Sequence, residues 1–246
     1  MSAPRTAKWP SRLVVMRHAE SEANLRRQSL EKLKSKETHV GLGMRDVDVP
    51  LTARGREQAR LSGLHLNRHG PFDTLFVSPY TRTRQTADVV LDELEAKPRL
   101  VTEERIREKE FGILEGLTKH GMDVHHAAEM ERRRRIGKYY YRPPGGESFP
   151  DVNLRLRSLL STLVRDHAGR RVLLITHSVV VLLFRHLLER MDEETILALD
   201  RHDEVKNASL LIYDLGARDG RQGVLVRREW NLTPWETSHP TRPSGR

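Results

Sequence analysis

No cysteine occurs among the 246 residues, which excludes disulfides, a thiolate nucleophile and a Cys-ligated zinc. Long apolar runs are missing as well. The longest, Val172 to Phe184, is interrupted by Thr176, His177 and Ser178 and is too short and too broken to span a bilayer. The opening MSAPRTAKWPSR is basic but lacks the apolar stretch of a secretory signal. A soluble, cytoplasmic protein with no membrane partner is the expectation. What the chain has in excess is positive charge, 43 Lys and Arg against 34 Asp and Glu, for a formal net charge of +9. Such a balance suits nucleic acid, an acidic membrane surface or an anionic small substrate. The cations are spread along the whole chain, so solubility and an Arg-rich composition account for them equally well.

The length gives ample material for a core, and no internal repeat is visible. Leu13–Met16 reads as a short strand buried on both faces, and Thr74–Val77, 98–102 and Arg171–Thr176 read as further short strands. Between them lie helical patterns at 53–68, capped by Thr52, at 81–96 and at 151–167, and another follows at 179–190. Ser21 to Lys36 is polar and fits either a helix or a long loop, and 118–141 is a helical stretch rich in His, Glu and Arg. Pro143-Pro144-Gly145-Gly146 is a hard break. Segments 208–214 and 223–228 fit an antiparallel pair joined by a Gly-rich turn. Strands alternating with helices predict an α/β sheet covered on both faces. The expected layout is a disordered arm over 1–11, one domain over 12–230 and a disordered tail over 231–246.

In sheets of this kind ligands bind beyond the C-terminal strand ends. Arg17, His18, Glu20 and Asn24 follow the first strand, Ser78, Arg82 and Arg84 the second, Glu108 the third, and His177 the strand ending at Thr176. Arginine is a permanent, fork-shaped cation suited to phosphate oxygens. A neutral imidazole can attack phosphorus and hold the phosphoryl group. A second histidine and the arginines can stabilise the equatorial oxygens, and a glutamate of raised pKa can protonate the leaving alkoxide. This chemistry calls for no metal. His65 and His69, and His120, His125 and His126, read as surface histidines, since HLNRH lacks the glutamate of a zincin motif.

Five ordered segments, MRHAESEAN, LTARGREQA, SPYTRTRQTA, IREKEFGILEG and LLITHS, resemble the motifs of the histidine phosphatase superfamily, the phosphoglycerate mutase-like proteins. The resemblance runs from about Leu13 to Asp214. It implies a three-layer α/β/α sandwich with a mostly parallel central sheet. It implies that His18 is the phosphorylated nucleophile, that Arg17, Arg82 and His177 bind the phosphoryl group, and that Glu108 is the proton donor. Asn24, Ser21 and Ser178, the last through its backbone N–H, are expected to bind substrate. Glu20 and Glu115 are expected to be structural partners of nearby cations. Ala19 and Ser178 stand where the superfamily has glycine, which predicts a tighter pocket. Segments at about 25–47 and 117–150 are expected to form a cap.

Superfamily mutases carry a long insertion between a Pro-Pro segment and the following Glu-Ser. Here Pro143 to Ser148 is contiguous, so hydrolysis of a phosphorylated small molecule, without a cofactor, is the expected activity. The alternative is a mutase dependent on 2,3-bisphosphoglycerate. A third reading is polyanion or nucleic-acid binding through Arg132-Arg133-Arg134-Arg135. The flanking Glu129 and Glu131, and the clustering of Tyr139, Tyr140 and Tyr141, favour a solvated helix face instead. The oligomeric state is left open, a homodimer included.

Overall fold

A computed structural model describes residues 8–237. Six strands form one sheet: β1 (Arg12–Arg17), β2 (Thr74–Val77), β3 (Arg99–Thr102), β4 (Arg171–Thr176), β5 (Leu210–Arg218) and β6 (Arg221–Leu232). Their order is β3-β2-β4-β1-β5-β6. The first four in that order run parallel, and β5 and β6 add an antiparallel edge. The apolar residues of β1 and β4 alternate between two cores, because successive strand residues point to opposite faces. Leu13, Val15, Val172 and Leu174 pack with Leu156, Leu159, Leu163, Val180 and Phe184. These last five belong to α6 (Phe149–Asp166) and α7 (Ser178–Glu189). Val14, Met16, Leu173 and Ile175 pack on the other face with Ala59, Leu66, Ala87 and Val90, from α2 (Ala53–Leu66) and α3 (Thr81–Glu93). The predicted three-layer α/β/α sandwich is therefore the observed architecture. Among the described residues no helix is long and apolar enough to cross a membrane.

Several boundaries differ from the sequence expectation, each for a local reason. The ambiguous segment after Ser21 is a helix, α1 (Glu22–Lys32), because Ser21 and Asn24 form a reciprocal capping box. The β5–β6 hairpin is longer than expected. Asp219 and Gly220 both take positive φ, 51° and 71°, which fits a two-residue turn and lets the strands pair up to its edge. The stretch 118–141 holds α4 (Lys119–His125) and α5 (Ala127–Ile136), and α8 (Glu193–His202) follows α7.

The expected tail needs correction over 231–237. β6 continues to Leu232 and Pro234–Thr237 form α9. Trp235 anchors it, with Nε1 donating to Asn207 O at 2.9 Å and the Arg54 guanidinium over its ring. A Pro- and Thr-rich composition does not reveal such a tertiary partner. The expected arm needs the same correction over 8–11: Ser11 N–H donates to Arg170 O at 2.8 Å, and Trp9 O accepts from Gly169 N–H at 2.9 Å. The remainder of both expected segments, 1–7 and 238–246, lies outside the described residues.

The two expected cap segments meet each other. His39 bridges Leu117, and Val40 N–H donates to Gly116 O at 2.8 Å. Leu114, Leu117, Met130 and Tyr141 form a small apolar cluster of their own there. On the other side of the sheet, Gly55 in the first turn of α2 lies against the loop after β1. A Cβ at Gly55 would sit 2.0 Å from Glu20 O, so this turn reaches that loop only as glycine. Gly55→Ala is expected to destabilise the fold by about 2 kcal/mol, read as a fall of roughly 4–8 °C in Tm. An unchanged Tm would show that the two backbones separate freely.

Candidate active site

Four of the predicted residues converge because their elements end at one edge of the sheet. β1 delivers Arg17 and His18, β4 delivers His177, and the first turn of α3 carries Arg82. All four are nearly buried. A cavity of about 310 Å³ opens at this edge, lined by Arg17, His18, Arg82 and Glu108, and also by Ser21, Asn24 and Ser178. The rings of His18 and His177 stand 5.2 Å apart, edge to face.

His18 Nδ1 lies 2.7 Å from Ala19 O. A carbonyl only accepts, so Nδ1 carries the proton and Nε2 keeps the lone pair. Burial, then Arg82 and Arg17, hold the His18 pKa well below its ordinary value, so the ring is neutral near pH 7. His177 is held low by burial, then by Arg82 and His18. Its Nε2 is 2.8 Å from Ser78 Oγ, while its Nδ1 is buried with no protein partner. If Ser78 donates, that Nδ1 is a buried N–H without an acceptor, set behind the cavity wall rather than in it. Arg17 leaves a second donor: its Nη1 donates to Val205 O, but its buried Nε has no partner. The Arg17 donor, in a residue that lines the cavity, is what an anionic group would satisfy.

Further polar groups complete the cradle. α7 begins at Ser178, with His177 as its N-cap and no side-chain cap, so the first N–H groups of a twelve-residue helix are free for an anion. Ser21 has a structural duty in addition to lining the cavity, since its Oγ donates to Asn24 Oδ1 at 3.0 Å. Asn24 Oδ1 also accepts from Asn207 Nδ2 at 3.0 Å, which leaves the Asn24 amide donors for a ligand. Asn207 had no sequence signal as a site residue, and Ser78 had only its place at a strand end. One follows a stretch that gave no clear element, and the other is a common strand-end residue.

Glu108 sits on the loop after β3, with its pKa raised by burial against the opposing pull of the Lys109 N–H, Arg82 and Arg17. Its loop is gripped by Arg155 of α6, which donates to the carbonyls of Arg105 (2.6 Å), Arg107 (2.9 Å) and Glu108 (3.2 Å) and pairs with Glu147. Nothing in the sequence sets Arg155 apart from the other arginines of α6. The Pro-Pro-Gly-Gly break docks on the same loop: Glu147 N–H donates to Glu110 O at 2.9 Å, and a Cβ on Gly112 would lie 2.1 Å from Pro144 O.

Ala19 does not tighten the cavity: its methyl is buried in the core under α2 and α3, and its φ is not positive. Glu20 is a structural partner, accepting from Thr52 Oγ1 at 2.8 Å and pairing with Arg54. Glu115 lines the cavity and makes no ion pair within 4 Å among the described residues; burial and the nearby Asp46 charge raise its pKa, against the pull of the Gly116 N–H, Arg27 and Arg82.

The capping stretch also reaches the site. Asp46 accepts from Arg82 twice, through its carbonyl at 2.6 Å and its carboxylate at 2.9 Å. An anionic ligand competes with this carboxylate. Removing a half-exposed charge of this kind is worth about 1 kcal/mol. Asp46→Asn is therefore expected to tighten inorganic phosphate binding roughly fivefold by calorimetry. Unchanged or weaker binding would mean that Arg82 does not have to be released.

Residues 13–228 match the family described as "Histidine phosphatase superfamily (branch 1)". The chain is 32% identical over 209 residues to a 2,3-bisphosphoglycerate-dependent phosphoglycerate mutase of Methylobacterium radiotolerans, covering 83% of this chain and 90% of that one. It is 28% identical over 226 residues to a protein of the same name from Parvibaculum lavamentivorans, covering 89% and 99%. Among solved structures it resembles a mycobacterial glucosyl-3-phosphoglycerate phosphatase, with a TM-score of 0.68 and 24% identity over 90% of this chain and 99% of that one.

Proposed function

We propose that this chain, which belongs to the histidine phosphatase superfamily, hydrolyses a phosphomonoester through a phosphohistidine on His18. The observation that carries the reading is the fixed tautomer of His18: a buried, neutral ring with its Nδ1 proton held by Ala19 O and its Nε2 lone pair free. In the first step Nε2 forms a bond to phosphorus and the ester P–O bond breaks. The leaving oxygen takes the proton of Glu108, whose raised pKa keeps a share of it protonated. Arg17, Arg82 and the His177 ring stabilise the charge on the equatorial oxygens. In the second step the Glu108 carboxylate takes a proton from water, the water oxygen bonds to phosphorus, and the N–P bond breaks to release phosphate.

A second reading is a mutase dependent on 2,3-bisphosphoglycerate, and the names of the sequence relatives favour it. The contiguity of Pro143 to Ser148 does not separate the two. The chain covers 99% of one relative that bears the mutase name, which leaves that relative little room for a further insertion. What supports hydrolysis is the charge of the cavity. Glu31, Asp46, Glu108, Glu115 and Glu204 line it against Arg17, Arg27 and Arg82. A small bisphosphorylated acid confined to this cavity would place its second phosphate among carboxylates.

His18→Ala is expected to abolish release of phosphate from 4-nitrophenyl phosphate and the acid-labile phosphoenzyme seen on rapid quench. Retention of either would exclude His18 as nucleophile. Glu108→Gln is expected to slow hydrolysis of an alkyl phosphate by roughly 10²–10⁴-fold, and of 4-nitrophenyl phosphate far less, because nitrophenolate leaves without a proton. For the alkyl ester, kcat/KM should fall as pH drops through the lowered His18 pKa. It should fall again as pH rises through the raised Glu108 pKa, and only this second limb should vanish in Glu108→Gln. Phosphoglycerate interconversion that depends on 2,3-bisphosphoglycerate would establish the mutase instead.

A further inference from the structure

Beside the catalytic cavity lies a second one, of about 190 Å³, and the two share Phe111, Leu114 and Met122 in their walls. We propose that this second cavity receives the leaving group of the substrate, and that it takes an apolar, ring-sized group ending in an anion. The proposal rests on the phosphoryl-transfer reading of the neighbouring site.

The wall is carbon-rich: beyond the shared residues it is built from Tyr141, Pro143, Phe149 and Val179. A sugar or glycerate would leave its hydroxyls unpaired there. Three cations reach the same space, Lys109, Arg133 and Lys138. Lys109 is 8% exposed. Its Nζ makes one long hydrogen bond, 3.4 Å to Glu110 O, and lies 4.5 Å from the Phe111 ring centroid. It forms no ion pair among the described residues, and a buried ammonium without one is costly. Arg133 is half-buried on the last turn of α5 and is likewise without an ion pair among the described residues. Its neighbours Arg132 and Arg134 pair with Glu129 and Glu131 on the solvent side. Lys138 is held by Asp200. An apolar cavity with two unpaired cations in its wall is complementary to an amphipathic anion.

The groups facing Lys109 agree. Burial, Arg133 and Lys138 push its pKa down, Glu108 and Glu147 oppose them, and the outcome is about 8. Lys109 is thus charged at neutral pH and is short of negative charge around it.

Two non-hydrolysable probes test the subsite by calorimetry, benzylphosphonate and 4-(2-carboxyethyl)benzylphosphonate. At pH 7 the carboxylate compound is expected to bind about tenfold more tightly, and the ratio should fall towards one as pH rises past 8 and Lys109 loses its proton. Arg133→Gln should bring the ratio to within roughly twofold, whereas Arg132→Gln, on the solvated face, should keep it. Equal binding of the two probes, no binding of either, or a ratio unmoved by Arg133→Gln and by Lys109→Met, would overturn the subsite. Turnover of phenyl phosphate, measured separately, reports the hydrolase reading: its absence with the tenfold ratio intact would overturn hydrolysis and leave the subsite standing.

Discussion

Arg17 and Arg82 are buried side by side with two imidazoles, and the rest of the site follows from that concentration of positive charge. Four parallel strands end at one edge, and the loops there must satisfy groups that repel one another. The protein supplies partial answers: Val205 O on Arg17, Asp46 on Arg82, Ala19 O on His18 and Ser78 Oγ on His177. Arg17 Nε and His177 Nδ1 remain unpartnered. Burial first, and the arginine field with it, holds the pKa of both histidines down, and burial raises that of Glu108. The proposed nucleophile and the proposed acid are therefore shifted in opposite directions by one environment.

The geometry of the acid is maintained from behind. Arg155 spans from α6 to three carbonyls of the Glu108 loop, and the Pro-Pro-Gly-Gly turn closes against Gly112. Lys109 and Phe111 follow on the braced loop, so the Glu108 loop and the second cavity share one support. The cap contributes from the other side: Asp46 touches Arg82, while Leu114, Leu117 and Tyr141 give the cap its own small core. The proposed phosphoryl chemistry and the proposed leaving-group subsite thus share the segment from Glu108 to Leu114.

Much of this was legible in the chain. Short apolar runs followed by Arg17-His18, Ser78 and His177 fixed which strand ends mattered, because parallel strands present ligands at one edge. The absence of cysteine and the five ordered motifs narrowed the chemistry to phosphoryl transfer on histidine. Ala19 was misread as a wall of the pocket because a strand-end residue can face either the ligand or the core, and the sequence does not say which. Arg155 was invisible because its polar-face position looks like that of any solvated arginine until Glu147 and the Glu108 loop are brought beside it. Trp235 and α9 were lost in a tail whose composition suggests disorder.

By itself, then, the sequence determined the class of fold and which polar side chains stand at its strand ends, since periodicity and strand-end position are local properties. Tertiary structure alone decided which nitrogen of His18 is free, that Asp46 occupies Arg82, that Asn207 supports Asn24, and that Lys109 and Arg133 meet across an apolar cavity. Each of these depends on a partner far away in the chain, and neither composition nor spacing encodes the distance between two loops.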